Sequence, residues 1–174
     1  MPKSSKKQIY EDDKTFLKIL RTNSGDNIEN IAKKCGFSRQ KLWRIKKRME
    51  KDKTIWGYNA VLDDQKLDVT RYIMLVKRSS QPLGDAINKI TNLIAEKKGR
   101  EIGIDVLSVG YLHGKYDVAI IFTADNIKLA KKFSEILAAE GGNLISEIEL
   151  MEYIFLLRDG GITSPEVKKF NEFF

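Results

Sequence analysis

The 174 residues carry a formal charge of +7 and are 42% hydrophobic, which is apolar enough for folded cores and excludes a disordered chain. No apolar run approaches the roughly 20 residues that span a bilayer. The charged start MPKSSKKQ has no apolar stretch behind it, so no secretory signal is expected. Cys35 is the only cysteine, which excludes an intrachain disulfide framework and a Cys-rich zinc site and fits a reducing cytoplasm. The charge is uneven. Residues 1–62 hold 16 Lys+Arg against 7 Asp+Glu, whereas residues 63–174 hold 15 against 17. A basic first third joined to a slightly acidic remainder points to a polyanion-binding module attached to something else.

Residues 1–11 read as a mobile, basic arm. A first helix is expected from Asp12, with Asp13 in the first turn where the helix dipole favours negative charge. Phe16, Leu17 and Leu20 form its buried side, and TNSGDN (22–27) ends it. A second helix over 27–35 places Ile28, Ile31, Ala32 and Cys35 at i, i+3, i+4 and i+7. Cys35 therefore reads as a small core residue, with a reactive thiol as the lesser alternative.

After the tight turn Gly36-Phe37, Ser38 is suited to cap a third helix that runs unbroken to Asp52. Leu42, Ile45 and Met49 share one stripe, and Phe37 is placed to staple its start. The opposite side carries Gln40, Arg44, Lys47 and Lys51, flanked by Lys41, Trp43 and Arg48. Residues 38–53 hold eight Lys or Arg against Glu50 and Asp52. Taken alone, such a run is most simply a solvated face. Preceded by two short helices and a glycine turn, it completes a helix-turn-helix, whose last helix fits a DNA major groove. The candidate DNA contacts are Ser38, Arg39, Gln40, Lys41, Trp43, Arg44, Lys47 and Arg48. Arg39, Gln40, Trp43 and Arg44 point towards base edges, and Lys41, Lys47 and Arg48 towards phosphates. Trp43 has two readings, stacking on the sugar-phosphate backbone or half burial beside the first helix.

TIWGYNAVL (54–62) reads as a strand leaving this unit, and DDQKLD (63–68) as a polar link. Beyond it come a strand (69–78), a helix (82–97), a strand (102–111), a turn into a strand (116–123), a helix (127–140) stopped by Gly141-Gly142, and a last strand (144–157). The order βαββαβ builds an antiparallel sheet with both helices on one face, an α+β architecture. Ile73 and Leu75 alternate with Tyr72, Met74 and Val76, and Ala119 and Ile121 with Ile120 and Phe122. A sheet with one wet face should alternate cleanly, so the second face is expected to be covered by a copy of the chain, in a homodimer. The tail, with Ser164 and Pro165 at cap positions and Val167, Phe170 and Phe174 on one side, reads as a short docked helix. The expected organisation is a DNA-binding domain with its exit strand over 1–62, a linker over 63–68, a sheet domain over 69–158 and a tail over 159–174.

These residues together resemble the Lrp/AsnC (feast/famine) family of transcription regulators, of the archaeal type. The resemblance rests on Leu17 and Leu20, Ile31-Ala32, Gly36-Phe37-Ser38, Leu42, Met49-Glu50, Ile55, Gly57-Tyr58 and Ala60. In the second half it rests on Gly114, Tyr116, Asp117 and Val118, which look like the family's G-x-Y-D turn. It implies a winged helix-turn-helix followed by a ferredoxin-like (RAM) domain that dimerises through its sheets, assembles further and senses a small effector such as an amino acid. The family usually carries an Arg-aliphatic pair three and four residues after the position of Leu42. Here those positions are Ile45 and Lys46, with Arg44 one place earlier.

A dimeric or larger, cytoplasmic regulator that binds double-stranded DNA is the leading reading, with no membrane partner, metal, cofactor or enzymatic activity expected. Its effector residues would be His113, Gly114, Tyr116 and Asp117. Asp117 would accept hydrogen bonds from an α-ammonium group, or simply from neighbouring backbone N–H groups. The rival is an enzyme resembling siroheme decarboxylases, which share this two-domain form, with His113 beside Tyr116 at the relevant turn. One histidine without a surrounding Arg, His or Tyr cluster is a poor tetrapyrrole carboxylate site. A third reading, an RNA- or protein-binding sheet platform, conflicts with burial of that sheet in a dimer.

Overall fold

The computed structural model describes residues 5–173, which form two compact units. One gathers the chain up to Leu62 with the segment from Leu156 onward, and the other spans Asp63–Phe155.

In the first unit three helices, α1 (Lys6–Asn23), α2 (Ile28–Cys35) and α3 (Arg39–Lys51), enclose a small core. Phe16, Leu20, Ile31, Ala32, Cys35, Leu42, Ile45 and Met49 are buried there, and Phe37 and Ile55 pack against them. These are the stripes that helical spacing dictates. Burial pushes the Cys35 thiol up, in keeping with a core residue. Gly36 closes α2 in the left-handed conformation, φ 69°, where a side chain would be strained. Ser38 then caps α3, its Oγ accepting from the Lys41 amide at 3.2 Å.

Helix α1 begins at Lys6, six residues before the expected start, because Ser5 caps it and accepts from the Gln8 amide at 3.2 Å. Residues 6–11 are thus helix rather than arm, and residues 1–4 of the expected arm lie outside the described residues. The strand expected over 54–62 does not form. That segment has a bend at Thr54–Ile55 and no partner strand, so β propensity has no ladder to express itself in. It is held by Ile55, whose amide donates to the Met49 carbonyl at 3.1 Å, and by Tyr58, whose hydroxyl donates to Glu50 at 2.9 Å.

The strand pairing of this unit comes from the end of the chain. Arg158–Asp159 (β5) and Ile162–Thr163 (β6) make a small hairpin around Gly160 and Gly161, both at positive φ. A Cβ on Gly161 would lie 3.0 Å from Thr22, and one on Gly160 would lie 3.1 Å from Val61. The tail is therefore this hairpin followed by a 3-10 turn over Val167–Phe173, not a docked α-helix. Ser164 does cap, accepting from the Glu166 amide at 3.2 Å, and the Phe170 and Phe173 rings stack. Phe174 lies outside the described residues.

The second unit contains β1 (Thr70–Arg78), α4 (Ala86–Thr91), α5 (Ile94–Glu101), β2 (Asp105–Tyr111), β3 (Val118–Ala124), α6 (Ile127–Gly141) and β4 (Ile145–Glu152). The antiparallel sheet has the order β2-β3-β1-β4. Tyr72, Met74 and Val76 of β1 pair with Phe122, Ile120 and Val118 of β3, and their side chains face Ala130, Phe133 and Leu137 of α6 in one core. Phe122 stacks on Tyr72 and meets Phe133 edge-on. Ile73, Leu75, Ala119 and Ile121 occupy the other face and join no part of that core.

Three boundaries differ from expectation. The linker is a 3-10 turn, Asp64–Leu67, anchored to the sheet by Asp64, which accepts from Arg71 Nε at 2.7 Å and Nη2 at 3.0 Å. The last strand ends at Glu152 rather than 157. The single helix expected over 82–97 is two, broken at Leu93, a non-glycine residue at φ 56°.

Candidate nucleic-acid interface

Helix α3 buries Leu42, Ile45 and Met49 and turns its remaining side chains outward. Gln40, Arg44 and Lys47 are exposed, and Trp43 is 53% exposed, outside the buried core of the unit. Arg44 forms no ion pair or hydrogen bond among the described residues. Lys47 pairs only with Glu50 of its own helix, at 3.4 Å and well exposed, a contact of little energetic weight.

The other candidates are partly committed within the unit. Ser38 is spent as the cap of α3. Arg39 meets Glu29 of α2 at 2.9 Å, both exposed. Lys41 reaches the buried carboxylate of Asp12 at 2.7 Å and stands over the Phe37 ring at 4.2 Å. Arg48 is paired with Asp13. Asp12, read as the helix start, and Asp13, read as favoured by the helix dipole, instead pair with two cations of α3. Asp12 lies four residues before Phe16 on the buried side of α1, and that i, i+4 relation is the signal the sequence carries. The structure thus concentrates the uncommitted polar and cationic groups at Gln40, Trp43, Arg44 and Lys47.

Glu50 organises the C-terminal end of α3. Its carboxyl lies below its usual range because the Tyr58 hydroxyl donates to it, with Lys47 and Lys46 adding charge. The Tyr58 phenol is pushed up to about 12, by burial first and then by Glu50. Lys46 also sits 4.8 Å over the Tyr58 ring.

The hairpin residues read as effector contacts lie in the other unit. Asp117 accepts from the Arg78 backbone amide at 2.7 Å, and its own amide donates to Val76 at 2.9 Å, so it ties β1 to the hairpin. Tyr116 donates to Glu147 at 3.3 Å and also to Glu149. His113 and Gly114 are exposed on the turn. None of the four lines the apolar cavity of this unit, which lies under α4. Among the described residues no helix is long and apolar enough to cross a membrane.

No protein-family model matches the chain. An uncharacterized HTH-type transcriptional regulator of Bacillus subtilis (strain 168), YugG, is 24% identical over 128 residues, covering 72% of this chain and 74% of that protein. Among solved structures, an AsnC family transcriptional regulator from Agrobacterium tumefaciens matches 85% of this chain and 92% of its own, at 20% identity and a TM-score of 0.63. A transcriptional regulator from Neisseria meningitidis in complex with L-Met matches 86% of this chain and 92% of its own, at 15% identity and a TM-score of 0.63. The chain accordingly shares the α+β fold of the AsnC/Lrp transcription regulators, in agreement with the resemblance read from its residues.

Proposed function

We propose that this protein is a DNA-binding transcription regulator in which α3 enters the major groove. The observation that carries this reading is the outward face of α3, where Gln40, Trp43, Arg44 and Lys47 lie outside the core and Arg44 has no ion pair or hydrogen bond among the described residues. Arg and Gln are the side chains that pair bidentately with guanine and adenine, and an unpaired Arg reaches a base edge without first breaking an ion pair. Arg39 and Lys47 supply phosphate contacts, whereas Lys41 and Arg48 act mainly by fixing α3 on α1.

The reading extends to assembly and control. A homodimer, or a larger assembly built on it, would bury the apolar sheet face formed by Ile73, Leu75, Ala119 and Ile121. A small effector such as an amino acid is supported by the Neisseria relative solved with L-Met. Asp117 is less suited to take its ammonium than the sequence suggested, because its carboxylate already serves the Arg78 amide. The siroheme-decarboxylase-like alternative gains nothing from His113, which is exposed on its turn.

The test is selection of binding sites from random duplex DNA with the full chain, followed by affinity measurements against salt. Recovery of a pseudo-palindromic site, bound with an affinity that falls steeply with salt, is expected. Failure to enrich any sequence, with binding no tighter than to random duplex, overturns the reading.

A further inference from the structure

Between the sheet and the broken helix pair of the second unit lies a cavity of about 430 Å³. It is open to solvent on one side, so it is a cleft that a small molecule can enter rather than an enclosed void. Its floor is Val76 and Ile120, and its lid is Leu83, Ile90 and Ile94. The lid is loosely seated. Helix α4 buries none of its residues, and it is separated from α5 by Leu93, whose left-handed backbone is strained for a γ-branched side chain. Such strain clusters at ligand clamps and switch regions.

One edge of the cavity is charged. Arg78, the last residue of β1, lines it beside Tyr111. The Arg78 Nε is buried without a hydrogen-bond partner, and Nη2 reaches only the Gln81 carbonyl at 3.2 Å. No carboxylate lies within ion-pair distance of this guanidinium among the described residues. On the far side, by contrast, Lys89 meets Glu140 at 3.1 Å and Lys98 meets it at 3.6 Å, so those charges are matched. A buried donor without an acceptor is costly, even where the rest of its guanidinium, as here, is part-exposed.

We propose that this cavity binds a small aliphatic monocarboxylate, with its chain between the sheet and α4 and its carboxylate on Arg78. Once the loosely seated lid shifts to admit it, a carboxylate can receive side-on hydrogen bonds from Nε and one Nη of Arg78, which gives the buried nitrogen the acceptor it lacks. The walls are apolar apart from Arg78, Lys89, Glu96, Glu140, Ser108 and Tyr111. Pockets of this kind, concave and apolar with a few placed polar groups, are the usual form of small-molecule sites. An acid without an ammonium group satisfies Arg78 and leaves Glu140 with its two lysines; Glu96, a lining carboxylate with no ion pair among the described residues, is where an ammonium would go instead, which the L-leucine titration tests. The site is distinct from the hairpin at His113–Asp117 and needs no DNA to be occupied.

The probe is octanoate, titrated into the full chain by calorimetry and followed by amide chemical shifts, with hexanoate, octan-1-ol and L-leucine in parallel. Octanoate should bind and shift residues of α4 and of the floor, with each methylene between hexanoate and octanoate worth about fourfold in affinity. Arg78→Gln should weaken octanoate by more than about tenfold, from the loss of the side-on pair of charge-assisted hydrogen bonds, while leaving octan-1-ol unchanged. Ile90→Trp, which fills the cavity, should weaken both; thermal melts of each variant establish that it folds. The proposal is overturned if octanoate fails to bind at millimolar concentration, if Arg78→Gln binds it as wild type does, or if the shifts map to Ile73 and Leu75 on the other sheet face. Tighter binding of L-leucine than of octanoate overturns the choice of an acid without an ammonium.

Discussion

Lys41 Nζ lies 2.7 Å from Asp12 Oδ2, joining the first turn of α3 to the middle of α1, where Asp12 is only 7% exposed. Asp12 also accepts from Gln8 Nε2 at 3.1 Å. The two partners are unequal, since Lys41 remains 42% exposed. Lys41 can turn into water if its partner is removed, and Asp12 cannot. Truncating Lys41 should therefore cost more than neutralising Asp12. Lys41→Ala is expected to destabilise the helix-turn-helix by about 2–3 kcal/mol, the penalty of an uncompensated buried charge, and Asp12→Asn by about 1 kcal/mol. Urea unfolding of both variants and of the double variant measures this, and equal losses would remove the asymmetry.

The same pair sets an acid dependence. Burial alone raises the Asp12 carboxyl, but the hydrogen bonds from Lys41 and Gln8 and the Lys41 charge outweigh it and hold it below its usual range. A carboxylate with a depressed folded-state pKa contributes stability that is present above its unfolded value of about 3.9 and is lost as pH falls through the lower folded value. Wild type should lose melting temperature below about pH 4 more steeply than Asp12→Asn. Circular-dichroism melts from about pH 2 to 6 read the difference, and parallel curves would show that Asp12 carries none of it.

Periodicity made the cores legible. Phe16, Ile31, Leu42 and Met49 in one unit, and Tyr72, Met74, Phe122 and Phe133 in the other, are buried on the faces that spacing assigns them. Capping and pairing were harder to read. Ser5 with Gln8 three residues on is a capping-box pattern, overlooked among the lysines of MPKSSKKQ. Residues 54–62 have β-forming side chains but no partner strand, and a strand is a property of two segments rather than one. The break at Leu93 left no local mark, because no glycine or proline announces it. At the candidate interface the exposed face of α3 was evident from its period. The commitment of Lys41 and Arg48 to α1 was not, because it depends on how α1 and α3 cross.

That distinction orders the DNA predictions. Arg44→Ala and Gln40→Ala should reduce discrimination between the selected site and its base substitutions, by about 1–3 kcal/mol for each lost bidentate contact. Lys47→Ala should weaken binding to all duplexes alike and lower the salt slope by about one. Fluorescence anisotropy on matched and mismatched duplexes separates the two behaviours. Unchanged affinities in all three would remove α3 from the interface.

Asp117 is expected to act as a structural clamp. Its carboxylate fixes the Arg78 amide, and its carbonyl accepts from Leu112 at 2.7 Å, so it joins the end of β1 to the β2–β3 hairpin. Asp117→Ala should cost about 1.5–3 kcal/mol, the range for a hydrogen bond to a charged group. Asp117→Asn, which retains an acceptor oxygen, should recover part of it. Should Asp117→Ala melt as wild type does while abolishing a response to an amino acid, the residue contacts the effector instead.

The apolar sheet face gives the prediction on assembly. Ile73 and Leu75 of β1 lie beside Ile121 and Ala119 of β3, opposite the helices, and Met151 of β4 pairs with Ile73 at its edge. Contiguous apolar patches beyond a few hundred Å² mark interaction surfaces, and an isologous contact across a two-fold axis would place this patch against its own copy. A single charge at its centre would then be buried on both sides of the dimer contact and far less in the monomer, where Ile73 is part-exposed. Ile73→Glu should dissociate the dimer at micromolar concentration while the monomer keeps its helical circular dichroism, and Lys77→Glu, at the rim of the same face, should leave assembly almost unchanged. Sedimentation velocity of the full chain reads the outcome. A wild-type chain that sediments as a monomer, or an Ile73→Glu variant that stays dimeric, would show that copies of the chain do not meet through this face.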